Sequence, residues 1–502
     1  MKVYTVKTPS KKRRLKLSHI LIAGCFLILL AGFAAVKIYL YKSATAPGFY
    51  PTSFPDNNWA LKKTADNHQV EGFSSLASVS PGGNIKFQIS CSAKLFNTSI
   101  YRMGWYGGNG SFYVANLGSR ICKSLNIPSP DESTGLVNAG WPASVNLNIP
   151  QNWSPGMYLA KLTSSDGYQN YIPFTVRTSS PHSKYLFVHS INTDTAYNQW
   201  GGNSLYKGLT PALKLNRAVK VSLNRPYLMP QGGDDGSGDF LKWEYPMILF
   251  LEKEGYQVDY ATDIDIHQHP GLLLKYKAII ITGHDEYWSK QMLDGYKQAL
   301  ARGVNLAVFA ANTAYRPVRF EPDPLTGAPD RIMVNYKSAE LDPFTKTNPQ
   351  YSTPAGWQSP PLNEPESELL GDSYGGEIKG GATVTVGEPL VVYDDSSWIF
   401  KDTGLKKGDK IPGLVGYEYD KYIGRAPHPP GINVLFHSPF VNIAGKADFA
   451  DSTYYQLPGG GQVFDAGTIE WSSGLNSSKS AYSPALVKIT KNILDRFGGN
   501  QS

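Results

Sequence analysis

The chain has 502 residues, 41% hydrophobic and 12% aromatic, enough for sizeable cores and against global disorder. Its 49 glycines and 35 prolines follow no G-X-Y period and no heptads are present, which excludes collagen and coiled coil. The net charge of +7 is set by residues 1–42, with nine basic side chains and no acid; the remaining 39 basic and 41 acidic residues balance to −2, which argues against nucleic acid as a partner.

The length predicts several domains. Residues 1–16 read as a basic tail ending in Lys11–Lys16 (KKRRLK). An uncharged, mostly apolar run follows from Leu17 to Val36, and about 20 residues at about 1.5 Å each span a bilayer core. The expectation is a transmembrane signal anchor over 17–41, with the basic flank cytoplasmic and the rest of the chain exported. A signal peptide cut near Ser43–Ala46 is the alternative. The expected location is the cell membrane, single-pass, with the folded domains extracytoplasmic. Cys91 and Cys122 are then a disulfide candidate, and no Cys/His spacing suggests structural zinc.

Residues 47–177 have β texture. Asn84–Cys91, Ser99–Met103, Ser144–Ile149, Tyr158–Leu162 and Tyr171–Val176 alternate, with Gly, Pro and Asn between them. Short strands at this spacing predict an all-β sandwich. Thr178–Lys184 reads as a linker. Residues 183–500 then alternate strand and helix, which predicts an α/β domain with a mostly parallel sheet. Its strands are Tyr185–Val188, Gln257–Ala261, Ala278–Thr282 and Val304–Ala311. Its helices are Phe240–Lys253, one from Ser289 to about Arg302 stopped by Gly303, and one opened by Ser483-Pro484 and stopped by Gly498. The stretch 321–403, rich in Pro, Gly and Asp, reads as an insertion or β excursion.

In open α/β sheets ligands bind beyond the carboxyl ends of the strands. Three strands deliver polar residues there: His189 with Asp194–Tyr206, Gly283–Trp288 (GHDEYW), and Asn312–Tyr315. No cysteine lies in this domain, and neither GxGxxG nor a P-loop is present. What remains is a metal or acid–base site of Tyr, His, Glu and Asn. Oxygen donors that include phenolate suit a hard cation, ferric iron better than zinc or copper.

Tyr101–Gly108 (YRMGWYGG), Trp200–Tyr206, Gly238–Tyr245, Gly283–Trp288 and Asn312–Tyr315 resemble the large (beta) subunit-like family of N,N-dimethylformamidase, over roughly residues 68–498. The resemblance implies a glutamine-amidotransferase-like α/β fold and a mononuclear iron held by two tyrosines and a glutamate. Glu286 matches the glutamate, Tyr206 one tyrosine and Tyr197 the second. His284 matches the neighbouring active-site histidine and Asn312 the asparagine, while Glu418 is placed by approximate spacing as a further catalytic acid. The implied reaction is metal-assisted hydrolysis of a C–N amide bond in a small molecule or polymer. His284 or Glu418 would carry the proton and Asn312 would donate to the developing oxyanion. The family's amidase is cytoplasmic and works with a small partner subunit, whereas an exported chain is not placed to meet dimethylformamide. A small subunit or a homo-oligomer are both left open. The contrasting reading is a non-catalytic cell-surface binding or scaffold protein whose β-sandwich recognises a glycan or polymer.

Overall fold

Alternation in Asn84–Cys91 becomes a strand that buries Ile85, Phe87 and Ile89 and turns Asn84 and Lys86 to solvent. The computed structural model describes residues 54–228 and 239–499. In the first part of the chain, Val70–Ser74, Asn84–Cys91 and Val145–Asn148 form a three-stranded sheet. A six-stranded sheet runs in the order Phe54–Pro55, Ser111–Ile121, Leu95–Met103, Gly156–Ser164, Gln169–Val176, Ser78–Val79. Phe87 of one sheet meets Phe174 of the other, ring centroids 5.5 Å apart. Cys91 and Cys122 are joined in a disulfide with their Cα atoms 5.0 Å apart. Closing a loop of that size stabilises by about 3–4 kcal/mol in the chain-entropy model.

The main sheet is built from β1 (Tyr185–His189), β2 (Val258–Thr262), β3 (Ala278–His284), β4 (Asn305–Ala311), β5 (Asn433–Val441), β6 (Ala447–Gln456) and β7 (Gln462–Asp465). Their order is β2-β1-β3-β4-β7-β6-β5. The first four and β7 pair parallel, while β7–β6 and β6–β5 pair antiparallel. The central strands are buried on both faces, which is why they read as continuous apolar runs. On one face Phe187, Ile280, Phe309 and Phe464 pack with Leu486, Ile489 and Ile493. On the other, Leu186, Ile279, Ile281 and Val308 pack with Met292, Leu293 and Tyr296.

The helices follow their local signals. α1 (Ile191–Tyr197) leaves the end of β1, and α2 (Tyr245–Lys253) continues a π turn at Phe240–Glu244. Ser289 accepts from Met292 N and starts α3 (Lys290–Ala301); Ser483 accepts from Leu486 N and starts α4 (Pro484–Phe497).

Two parts of the expected fold class are corrected. The sheet is mixed, not mostly parallel, because β5 and β6 are joined through the short Asn442–Lys446 turn, and a hairpin imposes antiparallel pairing. Around it lie further small sheets: one orders Lys220–Ser222, Ile332–Val334, Arg316–Glu321 and Tyr287–Ser289, and another pairs Ser373–Glu377 with Glu418–Lys421. The second region is therefore an assembly of mixed sheets rather than a mostly parallel α/β domain. The basic tail and the expected anchor over 17–41 lie outside the described residues, and no described helix is long and apolar enough to cross a membrane.

Candidate active site

The site sits at the carboxyl edge of the main sheet, and a glycine starts it. Gly283 has φ +73°, and a Cβ there would lie 2.3 Å from Trp243 Cβ. Only glycine fits that turn. The chain then presents His284, Asp285 and Glu286 before Tyr287–Ser289 pairs with Arg316–Val318. Glu286 is fixed at both backbone ends: its N–H donates to Thr193 Oγ at 2.9 Å, and its carbonyl accepts from Arg316 N at 2.8 Å. Tyr197 ends α1. Leu205 N donates to Ala196 O at 3.0 Å, which brings Tyr206 back beside it, and the two rings stack at 4.3 Å.

All six residues expected from the sequence meet here. Tyr197 donates its hydroxyl to Glu286 Oε2 at 2.9 Å, and the Tyr206 hydroxyl lies 2.8 Å from both Glu286 oxygens. His284 Nε2 lies 2.9 Å from Glu418 Oε2 and 3.6 Å from Glu286 Oε2. Asn312 Nδ2 lies 3.3 Å from each Glu418 oxygen and 3.2 Å from His284 Nε2. A protonated Nε2 shared with Glu418 cannot also accept, so the Asn312 amide hydrogen serves Glu418. Asn312 Oδ1 is buried and meets no donor among the described residues. Asn312 itself holds φ +54°, a conformation that asparagine tolerates, and its N–H donates to Asp420 Oδ1 at 2.8 Å.

Adjacent carboxyls are driven in opposite directions. Burial, with Glu244 nearby, pushes Asp285 up to about 7. Burial also opposes ionisation of Glu286, but His284, Arg316 and Lys337 outweigh it and hold its carboxyl below the usual range. Burial works against the charge on His284, yet Glu418 and Glu286 raise it to about 9. The phenols of Tyr197, Tyr206 and Tyr287 are all raised, first by burial and then by Glu286. They are hydrogen-bond donors unless a cation displaces their protons.

Four neighbours were not read from the sequence. Arg316 Nε lies 3.1 Å from Glu286 Oε1, and Lys337 Nζ sits 3.3 Å over the Tyr206 ring. Tyr287 donates to Tyr206 Oη at 2.7 Å, and Tyr374 donates to Glu418 Oε1 at 3.3 Å. Tyr287 lies inside GHDEYW and Arg316 is one residue past Asn312–Tyr315, so both were within reach of the motif reading. Lys337 and Tyr374 lie in the Pro/Gly-rich stretch and carried no local signal. His189, a strand-end residue, faces elsewhere: its Nδ1 lies 2.7 Å from Glu244 Oε2.

Two phenol oxygens and a carboxylate converging within hydrogen-bond distance make an all-oxygen donor set. That set fits a hard cation of high charge, which Tyr197, Tyr206 and Glu286 would hold. A family model described as N,N-dimethylformamidase beta subunit-like, C-terminal, matches residues 97–483, more than half of the chain. The chain belongs to this N,N-dimethylformamidase beta subunit-like family. The N,N-dimethylformamidase beta subunit of Alcaligenes sp is 26% identical over 444 residues, covering 72% of this chain and 55% of the relative. That of Paracoccus aminophilus is 23% identical with the same coverage, 72% and 55%. The chain spans about half the length of these curated relatives.

Proposed function

We propose that this member of the dimethylformamidase beta subunit-like family is a metal-dependent hydrolase of C–N amide bonds. Tyr197, Tyr206 and Glu286 would hold a single ferric ion. The observation that carries this reading is the meeting of those three oxygen donors beside the His284–Glu418 pair, 2.9 Å apart, in one buried site. Bound there, the ion supplies Lewis acidity toward an amide carbonyl and a water.

The chain's own residues do the proton work. Glu418 takes a proton from the attacking water. His284, charged at neutral pH, gives its Nε2 proton to the departing nitrogen, and Glu418 then returns a proton to His284. Water and amide are thus converted into carboxylic acid and amine with no proton left over. Asn312 turns its amide N–H from Glu418 to the developing oxyanion, a contact worth roughly 3 kcal/mol. Arg316 keeps Glu286 ionised and oriented. The names of the relatives concern N,N-dimethylformamide and a beta subunit; for this chain we extend them to an amide substrate and to a second subunit or a further copy. The Cys91–Cys122 disulfide supports an oxidising compartment.

Elemental analysis and visible spectroscopy of the purified protein test the reading. About one iron per chain and a phenolate-to-iron band are expected, and Glu286→Ala is expected to lose the iron, the colour and at least roughly 10³-fold in amidase rate. A folded, colourless, iron-free wild type after growth with ample iron would instead return the chain to the binding-protein reading.

A further inference from the structure

We infer that Asp372, Asp420 and Asp465 form a second cation site, an all-oxygen cage for a divalent ion of the calcium type. One oxygen from each carboxylate lies within 4.8 Å of the others. Three oxygens about 4.2 Å apart each sit at about 2.4 Å from a central ion, a calcium–oxygen distance, and that spacing falls within the 4.8 Å limit. The three residues come from separate segments: Asp465 ends β7, Asp420 lies in the Glu418–Lys421 strand, and Asp372 immediately precedes the strand paired with it.

An independent observation points to a ligand. The three side chains are 0–1% exposed. Asp372 Oδ2 accepts from Thr453 at 3.2 Å, Asp465 Oδ1 from Gly467 N at 3.0 Å, and Asp420 Oδ1 from Asn312 N at 2.8 Å. Asp372 Oδ1 and Asp465 Oδ2 remain, fully buried, with no donor from outside the triad among the described residues, so only a proton shared between the two carboxyls or a cation can serve them. No described Lys, Arg or His forms an ion pair with any of the three. Three buried carboxylates without a counter-charge are not tenable, so the triad must take up protons or a cation. Burial and mutual repulsion raise all three carboxyls, which an ion at their centre would reverse.

The cage is distinct from the tyrosine–glutamate site but mechanically joined to it. Asp420 is two residues from Glu418 and holds the backbone of Asn312. An ion there would fix both groups without touching substrate.

The test uses the full chain after chelation, with calcium or magnesium added back and terbium as a luminescent probe. Calcium at about 100 times its Kd is expected to raise Tm by roughly 3–5 °C, with terbium luminescence excited through the protein's aromatics and displaced by calcium. Asp372→Asn and Asp465→Asn should each abolish both responses, while Glu286→Ala keeps them, so this result stands or falls apart from the iron reading. A wild type that shows neither response, or variants that keep both, overturns the site and leaves the triad protonated. Should neither Asp variant fold, native mass spectrometry decides on wild type and Glu286→Ala: one calcium retained in each supports the cage, and none overturns it.

Discussion

In the β region of residues 54–177, buried charges meet an opposite charge or ready acceptors. Arg102 pairs with Glu252 of α2 at 2.6 Å, and Lys161 donates to the Asn58 and Ala60 carbonyls at 2.7 and 2.8 Å. At the carboxyl edge of the main sheet the pattern is different. Glu286, Glu418 and the Asp372–Asp420–Asp465 triad crowd together, phenols point at a carboxylate, and several buried oxygens meet no donor. The first arrangement makes sense as stability alone. The second stores unfavourable electrostatics that only ligand binding or proton transfer gives a use, which is where perturbed groups gather in functional sites.

The largest expected effect tests that division at the site. On the proposed mechanism His284→Gln should lower kcat/KM for an amide substrate by up to roughly 10⁴-fold while keeping the iron, because there His284 would carry a proton and would not hold the metal. Loss of iron along with activity would show that the histidine belongs to the metal's own shell. In the β region, Arg102→Ala should reduce stability by about 3–5 kcal/mol in urea unfolding, since it strands Glu252 beside the backbone of Trp105. Iron content should not change. A variant that loses iron instead would erase the contrast between the two regions.

A pH titration of the metal-free protein sharpens the comparison. His284 is raised from about 6.5 to about 9. Its contribution to stability is therefore complete below about pH 6.5 and is lost as the pH climbs through about 9, a loss of about 3 kcal/mol. Glu286 acts in the opposite sense: its lowered carboxyl stabilises above the ordinary glutamate range, and that stability is lost as pH falls through its folded value. Chemical denaturation of wild type and His284→Gln at pH 6 and pH 10 checks this. A wild-type curve parallel to that of the variant would remove the charge assigned to His284.

The site was legible because its parts are short strings placed directly after buried strands. Gly283–Trp288 and Asn312–Tyr315 sit where apolar runs end, and the runs themselves are unmistakable in strands buried on both faces. The mixed sheet was not legible, because β5 and β6 carry polar residues such as His437, Asp448 and Asp451 and resemble an edge more than a core. Lys337 and Tyr374 were missed for a related reason. Lys337 reaches the site from irregular backbone at φ +51°, and Tyr374 from a short strand, Ser373–Glu377, whose register shifts just after it, so no periodicity announces which way either side chain faces. The acid triad was equally hidden, since its members are separated by dozens of residues and gather only through strand pairing.

The smallest expected effect probes how tightly the site is coupled to the helix beyond it. Ser289 lies three residues after Glu286, and its hydroxyl caps α3 by accepting from Met292 N. The same oxygen lies 2.9 Å from His267 Nδ1. Ser289→Ala removes both contacts, and loss of an N-cap costs about 1 kcal/mol. The helix should nonetheless stay in place, because Met292, Leu293 and Tyr296 remain packed against β3 and β4. Glu286 should stay in place too, since its backbone is tied to Thr193 and Arg316 rather than to the cap. The variant should therefore melt slightly earlier while its iron content, colour and kcat/KM match wild type. A drop in iron occupancy would mean that the α3 cap, and not those backbone bonds, sets the position of Glu286.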